Sequence, residues 1–229
     1  MSSDNQILQG IAGVDEAGRG PMIGPLVVSG VLIDSESLSE LENLGVRDSK
    51  LLTPKKRREL AEDITRICAR VETRTVSASE IDTLRGRRIS LNDVEANEFA
   101  AILKDLRPSV AYLDAADVIA KRFGETVGER SGLKKLGCKI VSEHKADSKY
   151  LIVSAASIIA KDLRDRSVLR MHEEYGDFGS GYPSDPKTVK FVTNLVYDEK
   201  VLPPIIRKSW ESVRRIVEEF KTTQSTLDV

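Results

Sequence analysis

Four carboxylates stand at or just beyond the ends of three apolar segments that have the composition of β-strands: Asp15 and Glu16 after 11–14, Asp114 after 110–113, and Asp147 beyond 140–142. If these strands run parallel, their carboxyl ends share one edge of the sheet, where open α/β sheets place their sites. Several acids on one edge repel one another unless a cation lies among them. Oxygen ligands without nearby Cys or His suit Mg²⁺ or Mn²⁺, and two such ions are a recurring arrangement for cutting phosphodiesters. The pattern therefore predicts a metal-dependent phosphodiesterase site.

Each acid taken alone has a simpler interpretation. An Asp at a strand-to-helix junction commonly caps the helix, and Asp117 and Asp147 could be such caps. The metal-site hypothesis therefore depends on the convergence of the acids rather than on any single one.

A glycine-rich loop follows the first acidic pair. Gly18 and Gly20 allow backbone groups to approach a ligand closely, and Arg19 between them can bind phosphate through two parallel hydrogen bonds. A hairpin turn would also use glycine, but it gives no reason for the arginine. The residues alone favour neither interpretation.

The elements that must position these residues alternate along the chain. Apolar runs rich in β-branched residues predict strands at 11–14, 25–33, 71–77, 110–113 and 138–142. Helical spacing and capping signals predict helices at 54–67, 90–106, 117–123, 150–171, 188–197 and 209–220. The alternation in the second half is typical of βαβ units on a parallel sheet. The helix at 150–171 begins apolar almost all round, so we expect it to be buried.

The composition is that of a soluble globular protein. Of 229 residues 40% are hydrophobic and 31% are charged, and 35 Lys and Arg balance 36 Asp and Glu. The net charge of -1 does not indicate a nucleic-acid partner, but a local basic cluster would suffice to bind one. Two distant cysteines offer neither a disulfide framework nor a zinc site, and no segment has the pattern of a signal peptide or a membrane span. We expect a cytoplasmic protein.

Several common enzyme motifs are excluded. Ile23 stands where a dinucleotide-binding G-x-G-x-x-G motif needs its third glycine. The sequence has no G-x-x-x-x-G-K-[ST] loop, no G-x-S-x-G elbow and no histidine pair of the zinc-protease kind. Phosphate-loop, serine-hydrolase and zinc-protease functions are therefore not supported.

Six motifs resemble, in order, those of ribonuclease HII: 15–21 (DEAGRGP), 48–50 (DSK), 112–114 (YLD), 145–148 (KADS), 154–161 (SAASIIAK) and 181–183 (GYP). The resemblance covers about residues 10–220, and the motifs at 114–117, 143–147 and 206–210 are similar to the archaeal branch of the family. Leu151 and Asp162 depart from the residues usual in the family, and both lie on the helix behind the site. They bear on packing rather than on activity.

This resemblance implies a ribonuclease H-like α/β fold. Its mixed five-stranded sheet is flanked by helices, its first three strands are antiparallel, and a helical lobe follows. We expect a catalytic domain at 1–175, the lobe at 176–221 and a disordered tail at 222–229.

The resemblance also implies a site and a reaction. Asp15, Glu16, Asp114 and Asp147 would bind two Mg²⁺ or Mn²⁺ ions, with Asp15 bridging them; one ion would activate water and the other would stabilise the leaving 3′-oxygen. The substrate-binding residues would be Gly18, Arg19 and Gly20 at the ribose 2′-hydroxyl and adjacent phosphate, Lys50 at phosphate, and Tyr182 stacked at the RNA-to-DNA junction. The enzyme would hydrolyse the RNA strand of RNA/DNA hybrids and cut on the 5′ side of a ribonucleotide in duplex DNA, leaving 3′-hydroxyl and 5′-phosphate ends.

Three alternatives remain open: another metal-dependent nuclease of this fold acting on DNA junctions, a hybrid-binding protein without activity, and a stable domain whose acids are only helix caps. His144 is close to Asp147 and could transfer protons, but a surface histidine is the simpler interpretation. Basic runs at 55–58, 85–88 and 207–208 could line a duplex path or be solvated surface. Trp210 and Phe220 are expected in the core.

The last residues, 224–229, resemble the opening of a sliding-clamp-binding peptide that continues elsewhere with two aromatic residues. Those aromatics are absent here. We therefore expect weak clamp binding at most, and a polar tail with a chance resemblance is an equal alternative. We expect a monomer.

Overall fold

The computed structural model describes residues 8–34, 37–46, 52–198 and 200–227, with backbone alone for 224–227. Five strands form one mixed sheet in the order β3-β2-β1-β4-β5: β1 (Ile11–Ala17), β2 (Leu26–Ile33), β3 (Arg70–Val76), β4 (Val110–Asp114) and β5 (Lys139–Glu143). Strand β1 runs antiparallel to β2 and parallel to β4, and β4 runs parallel to β5. The predicted mixed five-stranded sheet is confirmed.

The helices in chain order are α1 (Leu38–Asn43), α2 (Pro54–Ile67), α3 (Ala78–Gly86), α4 (Leu91–Leu106), α5 (Ala120–Ser131), α6 (Ala146–Lys149), α7 (Leu151–Tyr175), α8 (Pro186–Tyr197) and α9 (Glu211–Leu227). A short 3-10 helix occupies Leu133–Leu136. The predicted start of α2 is confirmed: the Thr53 hydroxyl accepts a hydrogen bond from the Lys56 amide at 3.3 Å, and Pro54 occupies the first turn.

The helical predictions need correction at several positions, since α1, α3 and α6 were not predicted and the helix at 117–123 is displaced. The helix predicted at 117–123 begins only at Ala120, because the Asp117 carboxylate accepts a hydrogen bond from the Ile119 amide at 2.9 Å and holds the chain in a turn. It then continues to Ser131, where Gly132 with φ 74° ends it. Helix α3 was missed altogether, although Ser77 and Glu80 form a capping box at its start.

The chain divides into two compact units that are discontinuous in sequence. Unit 1 comprises 1–17, 27–74 and 92–163, and unit 2 comprises 18–26, 75–91 and 164–229. This differs from the expected boundary at residue 175, since unit 2 takes two earlier segments and the second half of α7. The disorder expected at 222–229 stays a prediction; the backbone of α9 is helical to Leu227.

The core of unit 1 surrounds the first half of α7. Its apolar side chains between Ile152 and Ala160 are at most 5% exposed, as the sequence predicts. The helix lies directly against β1, since a Cβ at Gly13 would come within 2.3 Å of the Ile152 carbonyl oxygen. Asp162, one of the two departures from the family pattern, is buried and forms an ion pair with Arg58 at 3.7 Å. This partner explains how an acid is accommodated on a packed helix.

Unit 2 has a core of its own. Met22, Ile23 and Ile206 are fully buried in it together with Phe178 and residues of α8 and α9. Residues 22–24 run alongside 205–207, with hydrogen bonds from the Gly24 amide to the Ile205 carbonyl and from the Arg207 amide to the Met22 carbonyl. In the part of the chain that the structure describes, no helix is long and apolar enough to span a bilayer.

Candidate active site

Unit 1 brings predicted acids to one edge of the sheet. The parallel register pairs Val14 of β1 with Leu113 of β4, so Asp15 and Asp114 follow at the same level on neighbouring strands. Asp114 in turn pairs with Glu143 at the end of β5, and Asp147 comes just after that strand in α6. This edge is where the sequence analysis expected them to meet.

These acids act on one another electrostatically. Burial, followed by the charge of Asp114, raises the pKa of Asp15 to about 7. Burial also raises the pKa of Asp114, and the charge of Asp147 acts in the same direction. Asp15, Asp114 and Asp147 are thus linked by mutual repulsion that the protein itself does not remove.

Helix α7 contributes two further residues to the surroundings of Asp15. Ser157 and Lys161, four residues apart, both lower the pKa of that carboxyl, as does the Glu16 amide, which donates to Asp15 at 2.7 Å. The sequence analysis did not single out Ser157 or Lys161. They could have been found from the sequence as two polar residues four positions apart, on one face of a helix that is otherwise mostly apolar.

Asp114 is held by main-chain amides. The Ala146 amide donates to Asp114 Oδ1 at 3.1 Å, and the Lys145 amide also lowers the pKa of that carboxyl. Lys145 has φ 56° and ψ 38°, a left-handed conformation that is unfavourable for a residue with a side chain. This local strain directs successive amides at one carboxylate and leaves Asp147 two residues farther on.

The donor set fits a hard divalent cation in chemistry. All four predicted ligands offer oxygen atoms, and a cation would relieve the repulsion that raises the pKa values of Asp15 and Asp114. Within the described ranges, no three His, Cys, Asp or Glu side chains are grouped closely enough to hold a metal ion as they stand. Glu16, next to Asp15, is half-buried. The acids are therefore neighbours rather than a preformed ligand cage.

Unit 2 brings together the predicted substrate-binding residues at 18–20 and 182. A Cβ at Gly20 would lie 3.6 Å from Tyr182 Cε1, so the tyrosine ring covers this glycine. Gly18 has φ 87°, and a Cβ there would come within 2.4 Å of the Pro25 carbonyl oxygen. Only glycine fits at position 18.

Arg164 supports Tyr182 from the side. Its guanidinium lies 5.1 Å from the centre of the tyrosine ring and donates to the Ser180 carbonyl at 2.6 Å. Arg164 is buried, so the contact is shielded from water. The orientation of the Tyr182 ring is thus fixed from within unit 2.

Arg207 and Trp210 differ from expectation. Arg207, placed by sequence on a possible duplex path, is fully buried, and its guanidinium donates to the carbonyls of Gly18, Arg19 and Gly24. Burial lowers the pKa of Arg207 to about 10, so it remains charged at neutral pH. Trp210, expected in the core, is half-buried beside this guanidinium and that of Arg85.

The remaining predicted residues fall into three groups. Lys50, with the Asp48–Lys50 motif, lies outside the described residues. His144 is exposed, with Nε2 3.2 Å from the Val118 carbonyl oxygen, which agrees with a surface role. Asp117 is not the helix cap it could have been, because Ile119 occupies the N-cap of α5; its carboxylate accepts hydrogen bonds from Arg122 and from the Ile119 amide, which lower its pKa.

Comparisons with known proteins agree with this architecture. The family model for ribonuclease HII matches residues 12–213. Ribonuclease HII of Pyrococcus furiosus is 47% identical over 219 residues, covering 95% of this chain and 95% of the relative.

Two solved structures are similar. The crystal structure of ribonuclease H2 from Pyrococcus horikoshii OT3 matches with TM-score 0.86 and 43% identity over 93% of this chain and 99% of that chain. The RNase HII of Archaeoglobus fulgidus, solved in complex with PCNA, matches with TM-score 0.82 and 42% identity over 90% of this chain and 96% of that chain. The protein therefore belongs to the ribonuclease HII family of metal-dependent ribonuclease H endonucleases.

Proposed function

We propose that Asp15, Glu16, Asp114 and Asp147 hold two divalent ions, Mg²⁺ or Mn²⁺, and that the enzyme cuts on the 5′ side of a ribonucleotide in a duplex. The observation that carries this proposal is the electrostatic chain from Asp15 through Asp114 to Asp147 at the carboxyl ends of parallel strands. When bound, such ions supply an activated water and stabilise the leaving 3′-oxygen. The products would be a 3′-hydroxyl and a 5′-phosphate.

The protein's own groups prepare the acids for this role. Asp15 has a pKa of about 7 without metal, so cation binding near neutral pH would displace its proton. Ser157 and Lys161 favour the ionised form of Asp15, and two main-chain amides favour that of Asp114. These groups partly offset the burial and repulsion that raise the pKa values of Asp15 and Asp114.

Unit 2 would select the substrate. Gly18 and Gly20 allow the backbone to approach the ribose 2′-hydroxyl, Arg19 would bind the adjacent phosphate, and Tyr182 would stack at the RNA-to-DNA junction. The packing of Tyr182 on Gly20 supports a single recognition surface. We propose Lys50 as a further phosphate contact by resemblance alone.

The direct test is cleavage of a duplex that contains one ribonucleotide, with EDTA, with Mg²⁺ and with Mn²⁺. We expect cleavage only with metal and only on the 5′ side of the ribonucleotide, read from the end groups of the products. Equal cutting of the all-DNA duplex would favour a DNA-junction nuclease. Tight binding without metal-dependent cutting would favour a hybrid-binding protein.

A sliding clamp is a proposed partner. The support is the Archaeoglobus fulgidus relative, which was solved in complex with PCNA, and the resemblance of 224–229 to the start of a clamp-binding peptide. Aromatic anchors normally supply much of the affinity of such a peptide, and residues 224–229 contain none. Calorimetry with the organism's own clamp, before and after addition of Phe-Phe to the end, tests the proposal. We further propose a cytoplasmic monomer.

A further inference from the structure

Arg207 is one of the largest fully buried side chains among the described residues. The mechanism proposed above gives it no role. Its Nε donates to the Gly24 carbonyl at 3.0 Å, and its two terminal nitrogens donate to the carbonyls of Arg19, at 2.9 Å, and Gly18. The Trp210 ring lies 4.7 Å from the guanidinium. A buried charge is costly unless it is hydrogen-bonded, and here main-chain oxygens accept a hydrogen bond from each of the three guanidinium nitrogens.

The direction of these carbonyls determines the direction of the amides that follow them. In a planar trans peptide, the C=O of one residue and the N–H of the next point to opposite sides. Because the carbonyls of Gly18 and Arg19 point at the guanidinium, the N–H groups of Arg19 and Gly20 point away from it. Trp210 Nε1 donates to the Gly20 carbonyl at 3.3 Å, so three consecutive carbonyls are held by side-chain donors.

The side of the loop away from Arg207 has the character of a binding surface. Gly20 is exposed, and a Cβ there would meet the Tyr182 ring at 3.6 Å. Two successive amides that point the same way form a concave donor pair suited to phosphate and hydroxyl oxygens. The Arg207 amide also donates to the Met22 carbonyl, and the Met22 amide donates to the Gly181 carbonyl, directly before Tyr182. Arg207 is therefore bonded directly to the loop at residues 18–20 and, through Met22, connected to the segment at residues 181–182.

We propose that Arg207 is the positioning residue for ribonucleotide recognition: it holds residues 18–20 with the amides of Arg19 and Gly20 turned towards the ribose and its phosphate. This inference rests on the proposed function, since it takes that loop as the reader of the 2′-hydroxyl. Lysine cannot replace Arg207, because a single ammonium lacks the planar fork that reaches three carbonyls.

The test compares Arg207→Lys with a matched variant, Arg85→Lys. Arg85 also lies over the Trp210 ring, at 5.4 Å, but contacts none of the three carbonyls. In an Asp15→Asn background, fluorescence anisotropy gives the ratio of affinities for a duplex with one ribonucleotide and for the all-DNA duplex of the same sequence. In the otherwise wild-type enzyme, kcat, KM and the Mg²⁺ dependence are measured.

We expect Arg207→Lys to lower the affinity ratio at least tenfold and to leave the Mg²⁺ concentration for half-maximal activity unchanged, because the acids lie in unit 1. Arg85→Lys should keep the ratio within twofold. A lower melting temperature with an unchanged ratio in Arg207→Lys would mean that this residue only stabilises the fold, and would overturn the inference.

If Arg207→Lys does not fold, Trp210→Phe carries the test. It keeps an aromatic ring beside Arg207 and removes only the hydrogen bond to the Gly20 carbonyl. We expect a two- to fivefold lower ratio, and an unchanged ratio in the folded variant refutes the inference. A wild-type ratio of one would instead remove the proposed function, and this inference with it.

Discussion

The two units treat their buried charges in opposite ways. In unit 1, Asp15 and Asp114 are like charges on neighbouring strands, and the pKa values of both are raised. In unit 2, the charge of Arg207 is surrounded by carbonyls that all point towards it. The first arrangement leaves repulsion between ionised carboxylates that a cation would relieve, whereas in the second main-chain carbonyls face the charge. We infer that the acidic edge is assembled by its cations and that the recognition loop is formed beforehand.

The largest expected effect is a test of the preformed loop. A site that hydrogen-bonds a hydroxyl can reject the analogue that lacks it by as much as ~10⁴-fold. We expect the wild-type enzyme to cut a duplex with one ribonucleotide at least about 10³-fold faster than the all-DNA duplex. Gel assays of both duplexes under single-turnover conditions measure the ratio, and a ratio near one contradicts a 2′-hydroxyl reader in unit 2.

Next comes the removal of one acid from unit 1. Asp15→Asn or Asp114→Asn should reduce cleavage at least ~10²-fold, because each removes charge that stabilises the transition state. Binding of the hybrid should be largely retained, since unit 2 is unchanged. Asp117→Asn is the matched control, an acid that is bonded to Arg122 and the Ile119 amide before α5 and should leave the rate within about threefold. A near-normal rate in either acidic-site variant would exclude the assignment of the tetrad.

A smaller effect isolates one hydrogen bond in unit 2. Tyr182→Phe keeps the ring that packs on Gly20 and the contact with Arg164, but loses the phenolic hydroxyl. The expected loss is about 1–3 kcal/mol at the cleavage step on a ribonucleotide substrate. Steady-state kinetics should show the loss in kcat/KM. If Tyr182→Phe is unchanged while Tyr182→Ala is impaired, the ring alone acts.

The smallest effect concerns stability without metal. The pKa of the Asp15 carboxyl is about 7 in the folded protein and 3.8 in its ordinary, unfolded environment. Between these two pH values the folded state therefore binds a proton at Asp15 that the unfolded state has released. Stability from this group is therefore lost as pH rises from about 4 to about 7, and then stays constant. In EDTA at pH 8, Asp15→Asn should raise the melting temperature by about 4–8 °C, corresponding to ~2 kcal/mol.

Asp117→Asn should change the melting temperature in the opposite direction. Hydrogen bonds from Arg122 depress the pKa of Asp117, so its stabilisation is present above the unfolded pKa and is lost in acid. This variant should therefore melt lower than wild type at pH 8. Melting curves in EDTA that rank Asp15→Asn below wild type at pH 8 would contradict the repulsion inferred for unit 1.

Much of the acidic edge could be predicted because its signals are local. The acids directly follow apolar segments that predict strands. Thr53 and Pro54 predict the start of α2, and the apolar first half of α7 predicts that this helix is buried. The approach of Asp15 to Asp114 then follows from parallel pairing. Strand composition and capping chemistry are sufficient for these inferences.

The remaining features depend on contacts between distant parts of the chain. Arg207 sits in a basic pair that looks solvated, and nothing near it in sequence indicates that its partners are Gly18 and Gly24. The left-handed backbone of Lys145 is likewise fixed by the amides that face Asp114, not by its own residue type. The capping box of Ser77 and Glu80 is by contrast a local signal, and the sequence analysis did not use it.

The bonds from Arg207 also set an order in which the molecule can be completed. They span 183, 188 and 189 residues, so the loop at residues 18–24 waits for a donor near the end of synthesis. The acids of unit 1 have all emerged from the ribosome once residue 147 is free of the exit tunnel, because domains form progressively from the amino end. Unit 1 is complete only at residue 163, because the first half of α7 forms its core, and Arg207 still follows more than 40 residues later. On the proposed function, the loop that would discriminate for ribose is therefore completed after the acidic edge.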